Sequence, residues 1–489
     1  MIRTKIVATL GPASATPQML ARIVAEGVDV VRFNLSHGEH GEHARTLAEL
    51  RRVVAGQGVH VATLADLAGP KVRIGAIDPQ QAHLEVGDAC TIVREPIAGT
   101  ATRFGTTYRG LVDDVRVGER VLIDDGAVRL LVTEHRADEL VCTCTVGGLL
   151  STRKGVNVPD SRLALSSLTD KDRADVAWLV EQGFDYAAMS FVRSPDDIRV
   201  LRSQLHDRGG DQPIIAKIET PQAVAQLDAI LKETDGLLVA RGDLGVEMDV
   251  ARVPLLQKQM VTRARQAGKP VIVATQMLQS MVKAPVPTRA EVSDVANAVL
   301  DGADAVMLSA ETAVGAYPVE AIAALNRITQ EACEYEAGMM DEIGQPRHLL
   351  AERFRVACGE DRTISAVARS AALVAHDLGA KLVAAWARTG RTARWISKYR
   401  LSAPIAALTT EAGTCRRLAL CYGVEPMLVE PAAAVGPTLA ARLLEKLVGR
   451  FELRGGDVLV VVGDPNAPAA QPTITIQVVP SPQPETQDC

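Results

Sequence analysis

The chain has 489 residues, more than a single typical core needs, so two to four domains are expected. Hydrophobic residues make up 47% and charged residues 23% of the chain, and the mean hydropathy is +0.09, which indicates a globular protein and excludes disordered or fibrous classes. The net charge of −6 and the pI near 5.9 provide no basic surface for nucleic acid or membrane, so small molecules are the expected partners.

The N-terminal residues run directly into a strand-like segment without the apolar core of a signal peptide, and no apolar stretch is long enough to span a bilayer. We therefore expect a cytoplasmic protein. The eight cysteines are scattered, and the closest pair, Cys142 and Cys144, has strand spacing and not the spacing of a structural zinc site. Reduced structural thiols are expected.

Eight short apolar or β-branched segments alternate with amphipathic helical patterns along the first two thirds of the chain. The predicted strands are 5–11, 29–36, 60–67, 184–192, 213–219, 236–244, 270–277 and 305–312, and examples of the helices are 17–26, 170–182, 222–233, 254–267 and 289–300. Eight such β/α units predict a closed (β/α)8 TIM barrel, which fits better than the alternative of an open doubly wound sheet.

The barrel pattern is interrupted after its third strand. Residues 70–154 show short alternating segments separated by glycine-rich turns, which predicts an inserted small β-barrel domain. An insertion at this point leaves the catalytic face of the barrel, so it is expected to act as a lid, with a passive decoration as the alternative. The barrel itself would comprise residues 1–69 and 155–343.

A second α/β pattern follows an irregular segment at 344–361. Its predicted elements are a helix at 363–378 and strands at 381–387, 404–408, 457–462 and 473–479. A C-terminal α/β domain is therefore expected over 344–480. The proline-rich end, 481–489, is expected to be a mobile tail.

Polar and charged residues collect where the predicted barrel strands end, which is where barrel enzymes carry their chemistry. Arg32, Asn34 and Ser36 have two-residue spacing, so their side chains should project to one side of strand two. The other strand ends carry Asp66, Lys217, Glu219, Arg241, Asp243, Thr275, Ser309 and Glu311. A single polar residue there is often only a cap or an ion-pair partner, but the joint pattern favours a functional site.

These residue types indicate metal-assisted chemistry on a phosphorylated acid. Glu219 and Asp243 are hard oxygen ligands on adjacent strands, which favours Mg2+ or Mn2+ over zinc. Lys217 provides a point charge for a phosphoryl group, and Arg32 can hold that group bidentately. Gly242 allows close approach of the backbone, and if Asp243 opens a short helix, its N–H groups would receive a substrate carboxylate. No Walker or protein-kinase motif occurs, so a nucleotide would need another scaffold.

Long motifs in this chain closely resemble those of pyruvate kinases. They lie at 4–14, 32–38, 217–219, 240–245, 274–278 and 287–311. The resemblance covers the barrel nearly throughout, the lid at 154–157 and the third domain more loosely. It implies transfer of the phosphoryl group of phosphoenolpyruvate to ADP, giving pyruvate and ATP, with Mg2+ as the cofactor, and it implies a homotetramer with Arg289 near a subunit contact.

The resemblance also assigns roles to individual residues. Arg32 and Lys217 bind the phosphate, with Lys217 as the transition-state stabiliser, and Glu219 and Asp243 hold Mg2+. The carboxylate region of the substrate is contacted by Gly242, Asp243 and Thr275, and Thr275 with an ordered water is the candidate relay that protonates enolpyruvate. The implied nucleotide contacts are Asn34, Ser36, His37, Arg73 and Lys154, the last two from the lid.

One departure from the family concerns K+. Members that need K+ carry Thr, Lys and Glu in the segment after the strand-three Asp66, whereas here Leu67 follows it and Lys71 replaces the acidic residue. The monovalent-cation positions are Asn34, Ser36, Asp66 and Leu67. An ammonium near these oxygens would supply the charge of the ion, so K+ is expected not to be essential. The alternative is that Lys71 points to solvent and the ion still binds.

The third domain of this family is regulatory. Thr389, Gly390, Arg391 and Thr392 resemble its phosphate-binding turn, although an ordinary strand-to-helix turn is the alternative. The loop at 463–468 lacks the glycine-rich pattern of members regulated by fructose 1,6-bisphosphate. As the allosteric effector, AMP or a sugar monophosphate is therefore supported as well as fructose 1,6-bisphosphate.

Two other functions compete with this interpretation. A barrel aldolase or lyase acting on pyruvate-type acids would share the metal carboxylates, but it would not explain Arg73 and Lys154. A catalytically silent metabolite sensor would need only the third domain. The complete set at the strand ends argues against a silent sensor.

Overall fold

The computed structural model describes residues 3–78, 81–343, 361–430, 439–463 and 473–481. The predicted irregular segment at 344–361, the loop at 463–468 and the tail at 481–489 lie almost entirely outside the described residues. No helix in the described part of the chain has the length and apolar character needed to cross a membrane.

The chain begins with three barrel strands and two helices. They are β1 (Lys5–Thr9), α1 (Pro17–Ala25), β2 (Val30–Asn34), α2 (His40–Gln57) and β3 (Ala62–Leu67). Helix α1 begins where the Thr16 hydroxyl accepts the N–H of Met19, and Pro17 occupies the first position, where no N–H is needed. These local signals explain why the predicted start of this helix is correct.

The chain then enters a domain built mainly of strands. Its elements are β4 (Gln81–Leu84), β5 (Ala89–Val93), β6 (Arg103–Gly105), α3 (Leu111–Asp114), β7 (Arg120–Ile123), β8 (Val128–Arg136), β9 (Glu139–Val146), β10 (Gly148–Ser151) and β11 (Val156–Asn157). Six strands form a sheet in the order β11-β7-β8-β9-β5-β6, and β4 pairs with β10. We call residues 70–158 the lid. Its sheet includes β11, which lies beyond residue 154, where the insertion was expected to end.

The second part of the barrel follows the lid. Its strands are β12 (Tyr186–Met189), β13 (Ile214–Ile218), β14 (Gly236–Ala240), β15 (Val271–Ala274) and β16 (Ala305–Leu308). Its helices are α4 (Asp170–Glu181), α5 (Pro195–His206), α6 (Pro221–Ala225), α7 (Leu227–Glu233), α8 (Arg241–Glu247), α9 (Val253–Gln266), α10 (Arg289–Leu300), α11 (Ala310–Ala313) and α12 (Pro318–Ile343), with short 3-10 helices at Val250–Arg252 and Gln279–Val282.

The eight parallel strands close into a barrel in the order β1-β16-β15-β14-β13-β12-β3-β2, so the predicted TIM barrel is confirmed. Its strands are buried almost throughout, because side chains fill the inside of the barrel and helices cover the outside. Side chains inside the barrel include Val7, Val30, Leu64, Ile215, Leu238 and Ile272.

Several strands end earlier than predicted. β14 stops at Ala240 because residues 241–247 turn into a helix, and β16 stops at Leu308 before α11. The predicted helix at 222–233 is divided at Gln226 into α6 and α7. The residues at the C-terminal rim of the barrel therefore lie on turns and short helices as well as on strands.

The C-terminal domain is a five-stranded sheet with helices. Its elements are α13 (Asp361–Asp377), β17 (Leu382–Trp386), α14 (Arg391–Ser397), β18 (Ile405–Thr409), α15 (Ala412–Leu418), β19 (Val424–Leu428), α16 (Leu439–Phe451), β20 (Val458–Val462) and β21 (Ile474–Val478), with the strand order β19-β18-β17-β20-β21. The sequence did not predict β19, which is only partly buried. The domain packs under the N-terminal ends of the barrel strands, where the Tyr186 hydroxyl donates to the Arg417 carbonyl. It therefore lies opposite the C-terminal rim.

Candidate active site

An arc of charged side chains crosses the C-terminal rim from β2 to β13. Arg32 of β2 donates from Nε to Asp66 Oδ2 of β3 at 2.7 Å and from Nη1 to Thr9 Oγ1 at 3.0 Å. Asp66 is 1% exposed. Burial alone would raise the pKa of the Asp66 carboxyl, but Lys217 and Arg32 hold that pKa below its usual range. Asp66 is therefore a charged anchor that fixes the two cations of the arc.

Lys217 of β13 lies in the middle of this arc. Its Nζ donates to Ser190 Oγ at 2.7 Å and lies 2.9 Å from Glu219 Oε1 and 3.4 Å from Asp66 Oδ1. Burial would lower the pKa of Lys217, but the two carboxylates raise it above its usual value. The ammonium is therefore charged and held in one place, as a group that stabilises a transferred phosphoryl group needs to be.

Glu219, directly after β13, and Asp243, in the first turn of α8, are the two carboxylates predicted to hold a divalent metal. Glu219 is buried, and its Oε2 accepts the Phe191 N–H at 2.7 Å. The pKa of Glu219 is raised, first by burial and also by the negative charge of Asp243, against the opposing effect of Lys217. Two carboxylates that repel each other fit a site for a cation, and the oxygen donors suit Mg2+ or Mn2+.

The described residues contain no cluster of three or more His, Cys, Asp or Glu side chains arranged to hold a metal. A two-carboxylate site fits Mg2+, because this ion is usually bound through one or two carboxylates together with substrate oxygens and water. The residues present therefore fit the predicted metal with an open coordination sphere.

Helix α8 places Gly242 and Asp243 beside the end of β15. The Gly242 N–H donates to Thr275 Oγ1 at 2.7 Å, so the two predicted carboxylate-binding segments are joined directly. The Arg241 side chain is not part of the arc. Its guanidinium bonds to Asp294 of α10 and to the Thr275 carbonyl. Its role is to fix the rim from outside.

Thr275 has an unusual backbone conformation. Its φ is +69°, and that of the next residue, Gln276, is +58°, a left-handed conformation that is uncommon for residues other than glycine. Strained backbone of this kind persists only where the surroundings hold it, and it concentrates at functional sites. The Thr275 hydroxyl also donates to the Ala274 carbonyl at 2.6 Å.

Glu311, predicted at the end of strand eight, has a structural role. Its carboxylate accepts the N–H groups of Leu278 and Ser309 at 3.1 and 2.8 Å. It therefore joins the rim segments after β15 and β16.

The predicted nucleotide residues form two groups. Asn34 ends β2, its Oδ1 accepts the Ser36 N–H at 3.2 Å, and Ser36 and His37 are exposed on the following turn. Arg73 and Lys154 lie at the base of the lid, where the Lys154 carbonyl accepts the Ile74 N–H at 2.9 Å.

The two basic side chains of the second group bond within the lid. Arg73 Nη1 donates to the Arg153 carbonyl, and Lys154 Nζ lies 2.9 Å from Asp124 Oδ2. In the described part of the chain, no hydrogen bond or ion pair joins Arg73 or Lys154 to the rim arc. The structure brings these residues together on the lid but does not bring them into contact with Lys217.

The predicted monovalent-cation positions are occupied by protein contacts. Asp66 bonds to two cations, and the Leu67 carbonyl accepts the Ser190 hydroxyl at 2.7 Å. Lys71 is exposed, and a Cβ built on Gly155 would lie 3.1 Å from its Cε and 3.7 Å from its Nζ. The Lys71 ammonium thus lies against Gly155, within the lid itself, and has no hydrogen bond to Asp66 within the described residues.

The predicted effector turn connects β17 to α14. Gly390 has a φ of +77° and precedes the helix that begins at Arg391, which explains the glycine at this position. Thr389 and Gly390 line a cavity of about 100 Å3 between the C-terminal domain and the barrel, together with Arg394 and Arg417. Arg391 and Thr392, the other two predicted residues, open α14.

Sequence analysis missed two contributors to the arc. Ser190 follows β12 and connects Lys217, Asp66 and Leu67 through one hydroxyl. Phe191, with a φ of +54°, donates its backbone N–H to Glu219. The signal for Ser190 was present, because it is a polar residue at the end of a predicted barrel strand.

Comparison with protein families identifies most of the chain. Residues 1–322 match the family model described as pyruvate kinase, barrel domain, and residues 365–479 match the one described as pyruvate kinase, alpha/beta domain. The chain belongs to the pyruvate kinase family. The fold and the order of the rim motifs agree with this membership.

Individual pyruvate kinases are similar over nearly the full chain. Pyruvate kinase 2 of Synechocystis is 40% identical over 463 residues, covering 94% of this chain and 76% of its own. The pyruvate kinase of Clostridium acetobutylicum is 38% identical over 98% of this chain and 100% of its own. A crystal structure of a pyruvate kinase from Cryptosporidium parvum superimposes with a TM-score of 0.90 at 32% identity, covering 98% of this chain and 96% of that chain.

Proposed function

We propose that this chain transfers the phosphoryl group of phosphoenolpyruvate to ADP and releases pyruvate and ATP. The observation that carries the proposal is the position of Lys217, a charged ammonium held by Ser190, Glu219 and Asp66 beside Arg32. Phosphoryl transfer is catalysed mainly by positioning and by positive charge near the equatorial oxygens of the transferred group. The complete set of rim residues favours this reaction over an aldolase or a silent sensor.

Glu219 and Asp243 would hold Mg2+, with Mn2+ as a possible substitute. The bound ion supplies positive charge that neutralises the oxygens of the substrates. Arg32, kept rigid by Asp66 and Thr9, would orient the phosphate of phosphoenolpyruvate toward Lys217.

Gly242, Asp243 and Thr275 would receive the carboxylate region of the substrate. Thr275 would also pass a proton through an ordered water to the carbon of enolpyruvate. The strained backbone at Thr275 and its bond from the Gly242 N–H support this role, because they fix the direction of its hydroxyl.

ADP would lie between the partly buried Asn34 with the exposed Ser36 and His37 on the barrel, and Arg73 and Lys154 on the lid. Such a position requires the lid to approach the rim, since the two groups are not in contact here. Basic side chains that arrive from a separate domain suit the diphosphate of a nucleotide.

We further propose that K+ is not essential. Arg32 and Lys217 already neutralise Asp66. Lys71 follows on the segment that leads from β3 into the lid, where its side chain lies against Gly155. Lys71→Glu should therefore impose a dependence on K+. Equal kinetics of this variant in K+, Na+ and tetramethylammonium salts would contradict the proposed role.

Membership in the family also supports proposals about regulation and about the oligomeric state. The turn at Thr389, Gly390, Arg391 and Thr392 would bind a phosphorylated effector such as AMP or a sugar monophosphate, and the adjoining cavity supports a ligand near it. A homotetramer is supported by exposed apolar side chains on the barrel, including Val250 and Leu255, and light scattering would measure its mass.

The test of the reaction is pyruvate formation from phosphoenolpyruvate and ADP with Mg2+, in buffer free of K+ and NH4+ and then with K+ added. Activity in both buffers is the expected result. Activity only with K+ would keep the reaction and reject the role of Lys71. No pyruvate in either buffer, with AMP and glucose 6-phosphate also supplied, would reject the proposed function.

A further inference from the structure

Helix α4 contacts the rim although none of its residues was predicted to be functional. It is the first barrel helix after the lid, and it begins beside the segment that joins β2 to α2. We call residues 34–38 of this segment the 34–38 loop. It carries the predicted nucleotide residues Asn34, which is half-buried, and Ser36 and His37, which are exposed. Lys171 of α4 donates from Nζ to the Leu35 carbonyl at 2.6 Å.

The same lysine is paired with a buried carboxylate. Asp175, one helical turn further along, is 1% exposed, and its Oδ2 lies 2.7 Å from Lys171 Nζ. Its Oδ1 lies 2.7 Å from Nε2 of His40, the first residue of α2. Asp175 therefore fixes Lys171, which holds the Leu35 carbonyl near the start of the loop, and His40, which begins α2 after the loop.

An aromatic surface supports this arrangement. The His40 ring stacks on Trp178 with centroids 4.7 Å apart and an interplanar angle of 4°. On the other side, His43 Nε2 lies 2.8 Å from the His37 carbonyl. The backbone carbonyls of Leu35 and His37 thus both have side-chain partners outside the loop.

Helix α4 also holds Gly69, the residue directly before the lid. Asp172 Oδ1 accepts the Gly69 N–H at 3.1 Å, and Asp172 is fully buried. Gly69 has a φ of +68°, and a Cβ there would lie 3.0 Å from the Phe191 ring, so this hinge residue has little freedom. One helix therefore fixes both the 34–38 loop and Gly69, the residue directly before the lid that carries Arg73 and Lys154.

We propose that Lys171, Asp175 and His40 are positioning residues for the nucleoside diphosphate. They hold the 34–38 loop in the conformation that binds ADP, and they act through its backbone without touching either substrate. The inference rests on the proposed function and adds to it a specific network for one of its two substrates. Lys217 and Arg32 have no hydrogen bond to Lys171, Asp175 or His40 in the described part of the chain. The loop meets the arc through the Leu35 N–H, which donates to the Asp66 carbonyl at 3.0 Å. This backbone contact does not involve the network side chains, so phosphoenolpyruvate should bind independently of them.

The lead test is Lys171→Met. The lysine side chain is 51% exposed, and the buried Asp175 keeps His40 as a partner, so the fold should stay intact while the Leu35 carbonyl loses its donor. We expect the KM for ADP to rise about tenfold, as for loss of one charge-assisted hydrogen bond, with kcat and the KM for phosphoenolpyruvate within about twofold of the parent. Lys171→Arg, which keeps the charge and a donor, should restore much of the affinity for ADP.

Arg202→Met is the matched control. Arg202 also combines an ion pair, to Asp235, with a bond to a backbone carbonyl, that of Glu233, and it is 44% exposed. It lies on α5, away from the loop. Its loss should change neither KM, so a general effect of deleting such a contact is measured separately.

Asp175→Asn provides a second variant that keeps the shape of the side chain. It should raise the KM for ADP in the same selective way, because neither Lys171 nor His40 then has a charged partner. An unchanged KM for ADP in Lys171→Met, or an equal rise in both KM values, would overturn the inference. Failure of Asp175→Asn to fold would leave the decision to Lys171→Met.

Direct binding distinguishes failure of this inference from failure of the proposed reaction. Calorimetric titration with ADP and Mg2+ should give a weaker Kd for Lys171→Met than for the parent, whether or not pyruvate is formed. If the parent makes no pyruvate but binds ADP with this difference, the reaction fails and the network stands. If the parent binds no ADP, the network is rejected as well.

Discussion

Buried charges lie at both ends of the barrel, but they differ in what they leave available to a ligand. At the end under the C-terminal domain, Lys398 Nζ lies 2.5 Å from Asp304 Oδ1, and the two side chains are 1% and 2% exposed. Asp304 also accepts the N–H groups of Tyr422 and Val271. Nearby, Arg400 bonds to Glu336, so each of these four buried charges has a partner in the protein.

The C-terminal rim is arranged differently. Lys217 shares its ammonium among three acceptors, and Glu219 has the like charge of Asp243 beside it. A cluster with all of its charges paired is suited to joining domains, whereas a cluster with repelling carboxylates and a fixed cation is suited to receiving a metal and an anion. The comparison predicts that rim substitutions affect turnover and that those at the opposite end affect stability.

The largest expected effect is that of Lys217→Met. We expect kcat to fall at least about 10³-fold, equivalent to about 4 kcal/mol, because the charge nearest to the transferred group is lost. The melting temperature should fall less than that of Lys398→Met, since Asp66 keeps Arg32 as its partner and Glu219, whose pKa burial already raises, can take up a proton when Lys217 is lost. Steady-state kinetics and thermal unfolding measure both quantities, and a loss of stability with normal kcat would reverse the assignment of the rim.

Lys398→Met should have the opposite pattern. Removing one partner leaves Asp304 buried without its cation, which costs about 3 kcal/mol of unfolding free energy, while kcat of the folded enzyme at 25 °C stays close to that of the parent. The double variant Lys398→Met with Asp304→Asn should recover part of the lost stability. Equal stability of the parent and Lys398→Met in urea unfolding would contradict the account of this interface.

Glu247 at the lid side of the rim predicts a pH effect. Its carboxylate accepts the Asn157 amide at 2.6 Å, and burial raises its pKa to about 7. Between the ordinary glutamate pKa and 7 the folded state retains a proton that the unfolded state has lost, so the free energy of unfolding falls as pH rises through this window. Relative to Glu247→Gln, the parent should lose about 2 kcal/mol between pH 5 and 8 in metal-free buffer. Parallel pH profiles of the two proteins would exclude this effect.

The smallest effect is expected from Ser190→Ala. Loss of the hydroxyl removes one of the three acceptors of the Lys217 ammonium, so kcat should fall about tenfold while the KM for phosphoenolpyruvate changes little. Ser203→Ala, an exposed serine on α5, is the control. If Ser190→Ala loses stability without losing kcat, Ser190 only joins the ends of β3 and β12.

The barrel could be predicted from the sequence because its strands are buried on both sides. A parallel strand such as β14 is therefore a continuous apolar segment, and the polar residue that follows it marks the rim. This rule located Asp66, Lys217 and Glu219. It did not show that β14 ends at Ala240, because the apolar pattern does not mark where the chain turns into a helix.

Contacts between distant segments could not be predicted in the same way. Lys171 bonds to Leu35, 136 positions away, and no local pattern reports such a pair. The Phe191 N–H that binds Glu219 depends on a left-handed backbone conformation, which residue type does not reveal for a phenylalanine. The position of Lys71 against Gly155 likewise joins two parts of the lid that are distant in the sequence.

The most direct test of the central claim follows the phosphorus atom. In 31P nuclear magnetic resonance, a mixture of phosphoenolpyruvate, ADP and Mg2+ with the parent enzyme should lose the phosphoenolpyruvate signal and gain the γ-phosphate signal of ATP in equal amount, with no inorganic phosphate. The same mixture with Lys217→Met should remain unchanged over that period. Release of inorganic phosphate without ATP, or no change in either sample, would contradict the account of the rim as a site for phosphoryl transfer between two bound substrates.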